Sequence, residues 1–148
     1  MGRDEFTLLH TLRVRWAEVD RQGVVFNANY FLYFDVTITE YWRAIGFDYP
    51  DGIVKKFGTD IFAVKAGAEF HASAGYDDVL DIGCRATRVG RSSLRFRLGV
   101  FRAKEPLTTG ELVYVNVDLG TRKSAPWPKE LVSAIFAFEK VRPDGVSD

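Results

Sequence analysis

Apolar and polar positions alternate in several stretches of the chain, and in one long stretch they do not. Over residues 11–19, Leu12, Val14 and Trp16 alternate with Arg13, Arg15 and Ala17, the period of two that predicts a half-buried strand. Asp20-Arg21-Gln22-Gly23 is a turn-forming cluster that ends it. Over residues 29–45 almost every position is apolar or aromatic. Asp35, Thr39 and Arg43 recur there at i, i+4 and i+8 on one narrow stripe, with Thr37 and Glu40 off it. Asn27 or Asn29 is placed to cap this helix, and Gly46 to stop it. A helix apolar over most of its circumference is expected to be buried and wrapped by the rest of the protein.

The remainder supplies the wrapping. Residues 62–71, 80–87 and 93–100 alternate again, while residues 112–119 are apolar on both faces, as a central or interface strand is. Gly75-Tyr76-Asp77-Asp78, Gly90-Arg91-Ser92 and Thr108-Thr109-Gly110 read as the turns between them. A short tail helix beginning at Pro128 presents Leu131, Ile135 and Phe138. The order is thus a strand, a long buried helix and four strands in hairpin succession. A five-stranded antiparallel sheet rolled round one helix is an α+β hotdog architecture, here a single domain over residues 1–148. An exposed sheet edge is a liability that pairing with a second copy removes, so a homodimer is the smallest expected assembly.

Composition narrows the function classes. The 148 residues carry 20 Lys+Arg and 20 Asp+Glu, which argues against nucleic-acid binding through bulk basicity. No apolar run reaches the roughly 18 residues that span a bilayer, so no membrane partner is expected. Met1-Gly2-Arg3-Asp4-Glu5 lacks the cationic stub and apolar core of a secretory signal, and a cytoplasmic protein is expected. Cys84 falls on an apolar alternation and reads as a small buried hydrophobe. His10 and His71 are isolated, neither at metal-ligand spacing, and both read as surface or interface residues. Phosphate-loop, dinucleotide-binding, nucleophile-elbow and zinc-protease motifs are absent, and no metal is expected.

The informative stretch is residues 20–30, Asp-Arg-Gln-Gly-Val-Val-Phe-Asn-Ala-Asn-Tyr, which joins a strand end to the start of the buried helix. A lone D-x-x-G is most often just a turn. The functional alternative is a carboxylate facing backbone N–H groups at a helix start, where a carbonyl is polarised as its oxygen gains charge. Such a pair performs acyl transfer without Ser, Cys or His.

The run D-x-x-G-V-V-F-x-x-N-Y, followed by F-L-Y-F-D, resembles the 4-hydroxybenzoyl-CoA thioesterase family of hotdog proteins, in its Asp-dependent branch. Ala74-Gly75-Tyr76-Asp77-Asp78-Val79-Leu80 and Val89-Gly90-Arg91-Ser92-Ser93-Leu94 resemble two looser family segments. The resemblance covers residues 13–119 and implies hydrolysis of an acyl- or aryl-CoA thioester, with coenzyme A as part of the substrate and no separate cofactor. It implies that Asp20 is the catalytic carboxylate, as nucleophile or general base, that the Asn27 N–H bonds the thioester carbonyl, and that Gly23 permits the tight turn. Thr59, Asp60 and Ile61 would line the acyl or pantetheine channel, and Gly90, Arg91 and Ser92 would contact coenzyme A across a subunit interface. It further implies dimers paired into tetramers. Two departures bear on the acyl group: Asn27 stands where aryl-specific members often carry an aromatic, and His71-Ala72-Ser73 where related enzymes often carry Tyr and Pro. A hotdog acyl-thioester dehydratase and a non-catalytic acyl-CoA-binding domain are the rival readings.

Overall fold

Seven residues carry the long helix into the core. In α1 (Asn29–Ala44), Tyr30, Tyr33, Phe34, Thr37, Ile38, Tyr41 and Trp42 are buried, a repeat of three and four that lines one face. The computed structural model describes residues 2–145; Met1 and residues 146–148, the ends of the expected domain, lie outside that range. Five long strands receive this face: β1 (Leu8–Arg13), β2 (Thr59–Phe70), β3 (Val79–Val89), β4 (Ser93–Arg102) and β5 (Glu105–Asp118). They pair antiparallel in the order β1-β3-β4-β5-β2, which is the hotdog architecture expected from the pattern. A tail helix, α2 (Lys129–Phe138), buries Leu131, Val132 and Ile135, and a two-residue strand, β6 (Asp144–Gly145), adds to β3 in parallel.

The wrapping of α1 is one-sided. Phe31, Leu32 and Val36 remain 38–49% exposed on the side away from the sheet, so the apolar circumference is buried over one face only. Asp35 and Arg43 lie on the exposed side, while Thr37 is buried and donates to the Tyr33 carbonyl at 2.8 Å. Neither expected asparagine caps the helix through its side chain. Ala28 occupies the cap position, and Asn29 Nδ2 donates to the Glu18 carbonyl instead.

Four further expectations are corrected. The first strand ends at Arg13, and residues 16–18 form a turn of 3₁₀ helix, because the Glu18 carboxylate captures the Arg15 N–H and curls the chain. Trp16, read as inward-facing, is 73% exposed. The strands after α1 are not four successive hairpins: only β3, β4 and β5 form a meander, and β2 lies at the far edge beside β5. Thr108-Thr109-Gly110 lies inside β5, and the actual turn is at Ala103-Lys104, where Ala103 takes φ +54. Gly110 is required by a close approach, since a Cβ there would lie 2.5 Å from the Phe34 ring. It lets α1 sit directly on the sheet.

Candidate active site

Three elements converge on one cavity of about 290 Å³. The loop after the 3₁₀ turn supplies Asp20 and Gln22, the start of α1 supplies Asn27 and Tyr30, and the end of β2 supplies Phe70, His71 and Ser73. The loop is tight because Asp20 N–H donates to the Val24 carbonyl and Gly23 N–H to the Asp20 carbonyl, both at 2.9 Å. Gly23 takes φ +80, a conformation that favours glycine. Two bridges, Val19 with Val25 and Val24 with Gly75, fasten the loop to itself and to the β2–β3 connection.

Asp20 serves the turn and the cavity together. Its Oδ1 accepts the Gln22 N–H at 2.8 Å, whereas its Oδ2 accepts from no described residue. On the other side, the Asn27 N–H, two residues before α1 begins, donates to no described residue. Asp20 and Asn27 thus line one space, and each has a polar group, a carboxylate oxygen and a backbone N–H, that no described residue engages. A second cavity of about 550 Å³, lined by Trp16, Val19, Asp20, Arg21 and Gly23, reaches Asp20 from the other face of the loop.

The other implied residues lie elsewhere in the single chain. Thr59 begins β2 and is buried, and Asp60 accepts the Tyr49 hydroxyl at 2.9 Å. Gly90, Arg91 and Ser92 form the β3–β4 turn, where the Arg91 carbonyl accepts from Trp127 N–H and the Ser92 carbonyl from Asn116 N–H. Register puts both groups at one end of the sheet, because Ser93 pairs with Val115 and Val115 with Phe62. The Asp20 cavity is at the Phe70 end of β2, roughly 26 Å of extended strand from Phe62 and about 30–36 Å from Thr59–Ile61. Thus Asp20, Gly23 and Asn27 come together, and Thr59–Ile61 and Gly90–Ser92 come together apart from them.

Two residues near Asp20 carry more than their sequence context suggested. His71, read as a surface or interface residue, is exposed and also lines the Asp20 cavity, with Nε2 3.1 Å from Thr109 Oγ1. Glu18 is 5% exposed, although it lies in a stretch read as alternating strand. The available signal for Glu18 was local, an Arg15/Glu18 pair of opposite charge at i, i+3. Among the described residues, no group of three or more His, Cys, Asp and Glu is placed to hold a metal, and no helix is long and apolar enough to cross a membrane.

Comparison with known proteins places the chain in a family. The model of the family described as the thioesterase superfamily matches residues 22–109. The acyl-CoA thioesterase YbgC of Haemophilus influenzae is 28% identical over 124 residues, covering 83% of this chain and 90% of that protein. The crystal structure of a hypothetical protein from Aquifex aeolicus superposes with a TM-score of 0.80 at 26% identity, over 86% of this chain and 98% of that one. A Staphylococcus aureus protein solved in complex with CoA gives a TM-score of 0.82 at 17% identity, over 92% and 85% of the two chains.

Proposed function

The chain belongs to the thioesterase superfamily, and from that premise we propose that it hydrolyses an acyl-CoA thioester to the free acid and coenzyme A at the Asp20 cavity. What supports the reading is that Asp20 and Asn27 line one cavity, Asp20 with a carboxylate oxygen and Asn27 with a backbone N–H that no described residue engages. The thioester carbonyl sits between them, its oxygen on the N–H. Asp20 either removes a proton from water as the water oxygen bonds the carbonyl carbon, or attacks that carbon itself to give an anhydride that water then opens. In both cases the carbon–sulfur bond breaks and the thiol leaves. A positioned general base contributes about 10²–10⁴-fold and an oxyanion donor about 10²–10³-fold, enough together for hydrolysis without a metal or redox cofactor.

The separation of the two residue groups supports an assembly in which a second copy completes the site. β2 is an edge strand with Phe62, Val64 and Phe70 41–61% exposed. A copy paired antiparallel along β2 brings the partner's Thr59, Asp60 and Ile61, and the partner's Gly90, Arg91 and Ser92 behind them, toward the Asp20 end. Coenzyme A is then gripped from one subunit and cleaved by the other, with dimers pairing again into tetramers as the family resemblance implies.

The presence of His71 in the same cavity favours one second reading, a hydroxyacyl-thioester dehydratase that uses a histidine and a carboxylate. A panel of acyl-CoAs and 3-hydroxyacyl-CoAs separates them. Thiol release that disappears in Asp20→Asn supports the hydrolase, water loss without thiol release supports the dehydratase, and binding without turnover overturns both. A single turnover in labelled-oxygen water that puts label into Asp20 identifies the anhydride route.

A further inference from the structure

A carbonyl held between Asp20 and the Asn27 N–H reacts efficiently only if those two groups keep a fixed separation, because a misplacement of about 1 Å can cost about 100-fold. Both lie close in the chain to residues held by one buried residue, Glu18, through its side chain and its backbone carbonyl. The Glu18 carboxylate accepts the Tyr33 hydroxyl of α1 at 2.9 Å, the Arg15 N–H at 2.8 Å, and the Arg15 guanidinium through Nε at 2.9 Å and through Nη2. The Glu18 carbonyl accepts Asn29 Nδ2 at 2.8 Å and the Phe26 N–H at 3.0 Å. Glu18 stands two residues before Asp20, and Phe26 and Asn29 flank Asn27. Tyr33 is 1% exposed and lies in the second turn of α1, so the anchor is rigid core.

We propose that Glu18 is the positioning residue of this site: with Tyr33 and Arg15 it clamps the Asp20 loop to the first turns of α1 and sets the carboxylate-to-amide spacing. The inference rests on the thioester reading of the Asp20 cavity. Burial works to raise the Glu18 pKa, but the hydrogen bonds from Arg15 and Tyr33 outweigh it and hold the group below its ordinary value. The clamp is therefore a charged acceptor, and a neutral amide of the same shape cannot receive all of the same donors. A merely structural buried glutamate would affect melting, whereas a positioning residue affects the chemical step with substrate binding intact.

The test is steady-state kinetics of the full-length protein and of Glu18→Gln, Tyr33→Phe, the double variant and Asp20→Asn, on whichever acyl-CoA gives thiol release. Each single clamp variant is expected to lower kcat by at least about tenfold with KM within about threefold. The double variant is expected to fall no further than the worse single, as two parts of one unit do. If kcat stays within about twofold in both singles, or if the losses multiply in the double, or if KM rises with kcat unchanged, the proposal is overturned. If Glu18→Gln does not fold, Tyr33→Phe decides alone, since it keeps the ring and removes one hydroxyl. Asp20→Asn separates the failures. An inactive Asp20→Asn beside normal clamp variants sinks only the clamp, whereas an active Asp20→Asn sinks the reading of the site itself.

Discussion

Glu18 and Glu139 are buried at opposite ends of α1, and each accepts a hydrogen bond from a tyrosine of that helix, Tyr33 at 2.9 Å and Tyr41 at 2.6 Å. Burial opposes the charged form of both. At Glu18 the Arg15 guanidinium and backbone N–H overcome it, and the pKa falls. At Glu139 burial prevails over the Tyr41 hydroxyl, the Ala86 N–H at 2.8 Å and the nearby Arg85 charge, and the pKa rises. Glu139 Oε1 has no hydrogen-bond partner among the described residues. Burial with the Glu139 charge nearby pushes the Tyr41 hydroxyl and the Cys84 thiol up as well. The same residue type against the same helix thus takes opposite signs, because one has a cation within hydrogen-bond reach and the other has neutral donors. The carboxylate with the lowered pKa stands two residues before Asp20; the one with the raised pKa knits α2 to α1 and β3.

If that contrast separates a functional end of α1 from a structural one, substitutions should divide the same way. The largest effect is expected at Asp20. Asp20→Asn should lower kcat/KM for thiol release by at least about 100-fold, and Glu139→Gln should leave it within about twofold, when both are assayed on one substrate. Comparable losses in the two would erase the distinction. Next comes the middle of the helix, where Gly110→Ala sets a methyl 2.5 Å from the Phe34 ring and should destabilise by about 1–3 kcal/mol in urea unfolding. Unaltered stability there would mean that α1 can shift off the sheet freely. Tyr41→Phe should cost about 1 kcal/mol of stability with kcat unchanged, the converse of Tyr33→Phe.

The smallest effects are pH slopes, and their signs differ. Glu18 has a lowered folded pKa, so its contribution is present above the unfolded glutamate value near about 4.3 and is lost as pH falls through the folded value. Glu139 has a raised folded pKa, so its contribution is present below about 4.3 and is lost as pH rises through the folded value. Melting followed from pH 7 to about pH 2 should show the advantage of the native protein over Glu139→Gln growing toward about pH 4, and its advantage over Glu18→Gln shrinking below that. Slopes of the same sign would contradict the assignment.

Local period determined what could be read in advance. The repeat of three and four through Tyr30, Tyr33, Phe34, Ile38, Tyr41 and Trp42 is visible in the residues alone, and so are the alternations of β3 and β4. Asp20-Arg21-Gln22-Gly23 also announced its turn, since Gly23 and an Asx-type bond from Asp20 close it within four residues. Longer reach defeated the pattern. The letters at Thr108-Thr109-Gly110 spell a turn, but Gly110 is there to admit Phe34, which is 76 positions away in the chain. Trp16 completes an alternation and nevertheless points to solvent, because Glu18 turned the backbone first.

The amino-acid order by itself determined an α+β chain with one long apolar helix and a carboxylate turn at that helix's start, because each follows from neighbours within a few residues; that only one face of the helix is buried was decided by the sheet. Tertiary structure alone decided that β2 crosses to the far edge, that His71 enters the Asp20 cavity, and that Thr59–Ile61 and Gly90–Ser92 stand at the opposite end of the sheet. It also decided the opposite directions in which the pKa values of Glu18 and Glu139 move. Strand order and ionisation are set by which distant groups meet in the core, and periodicity records only which face of each element is apolar.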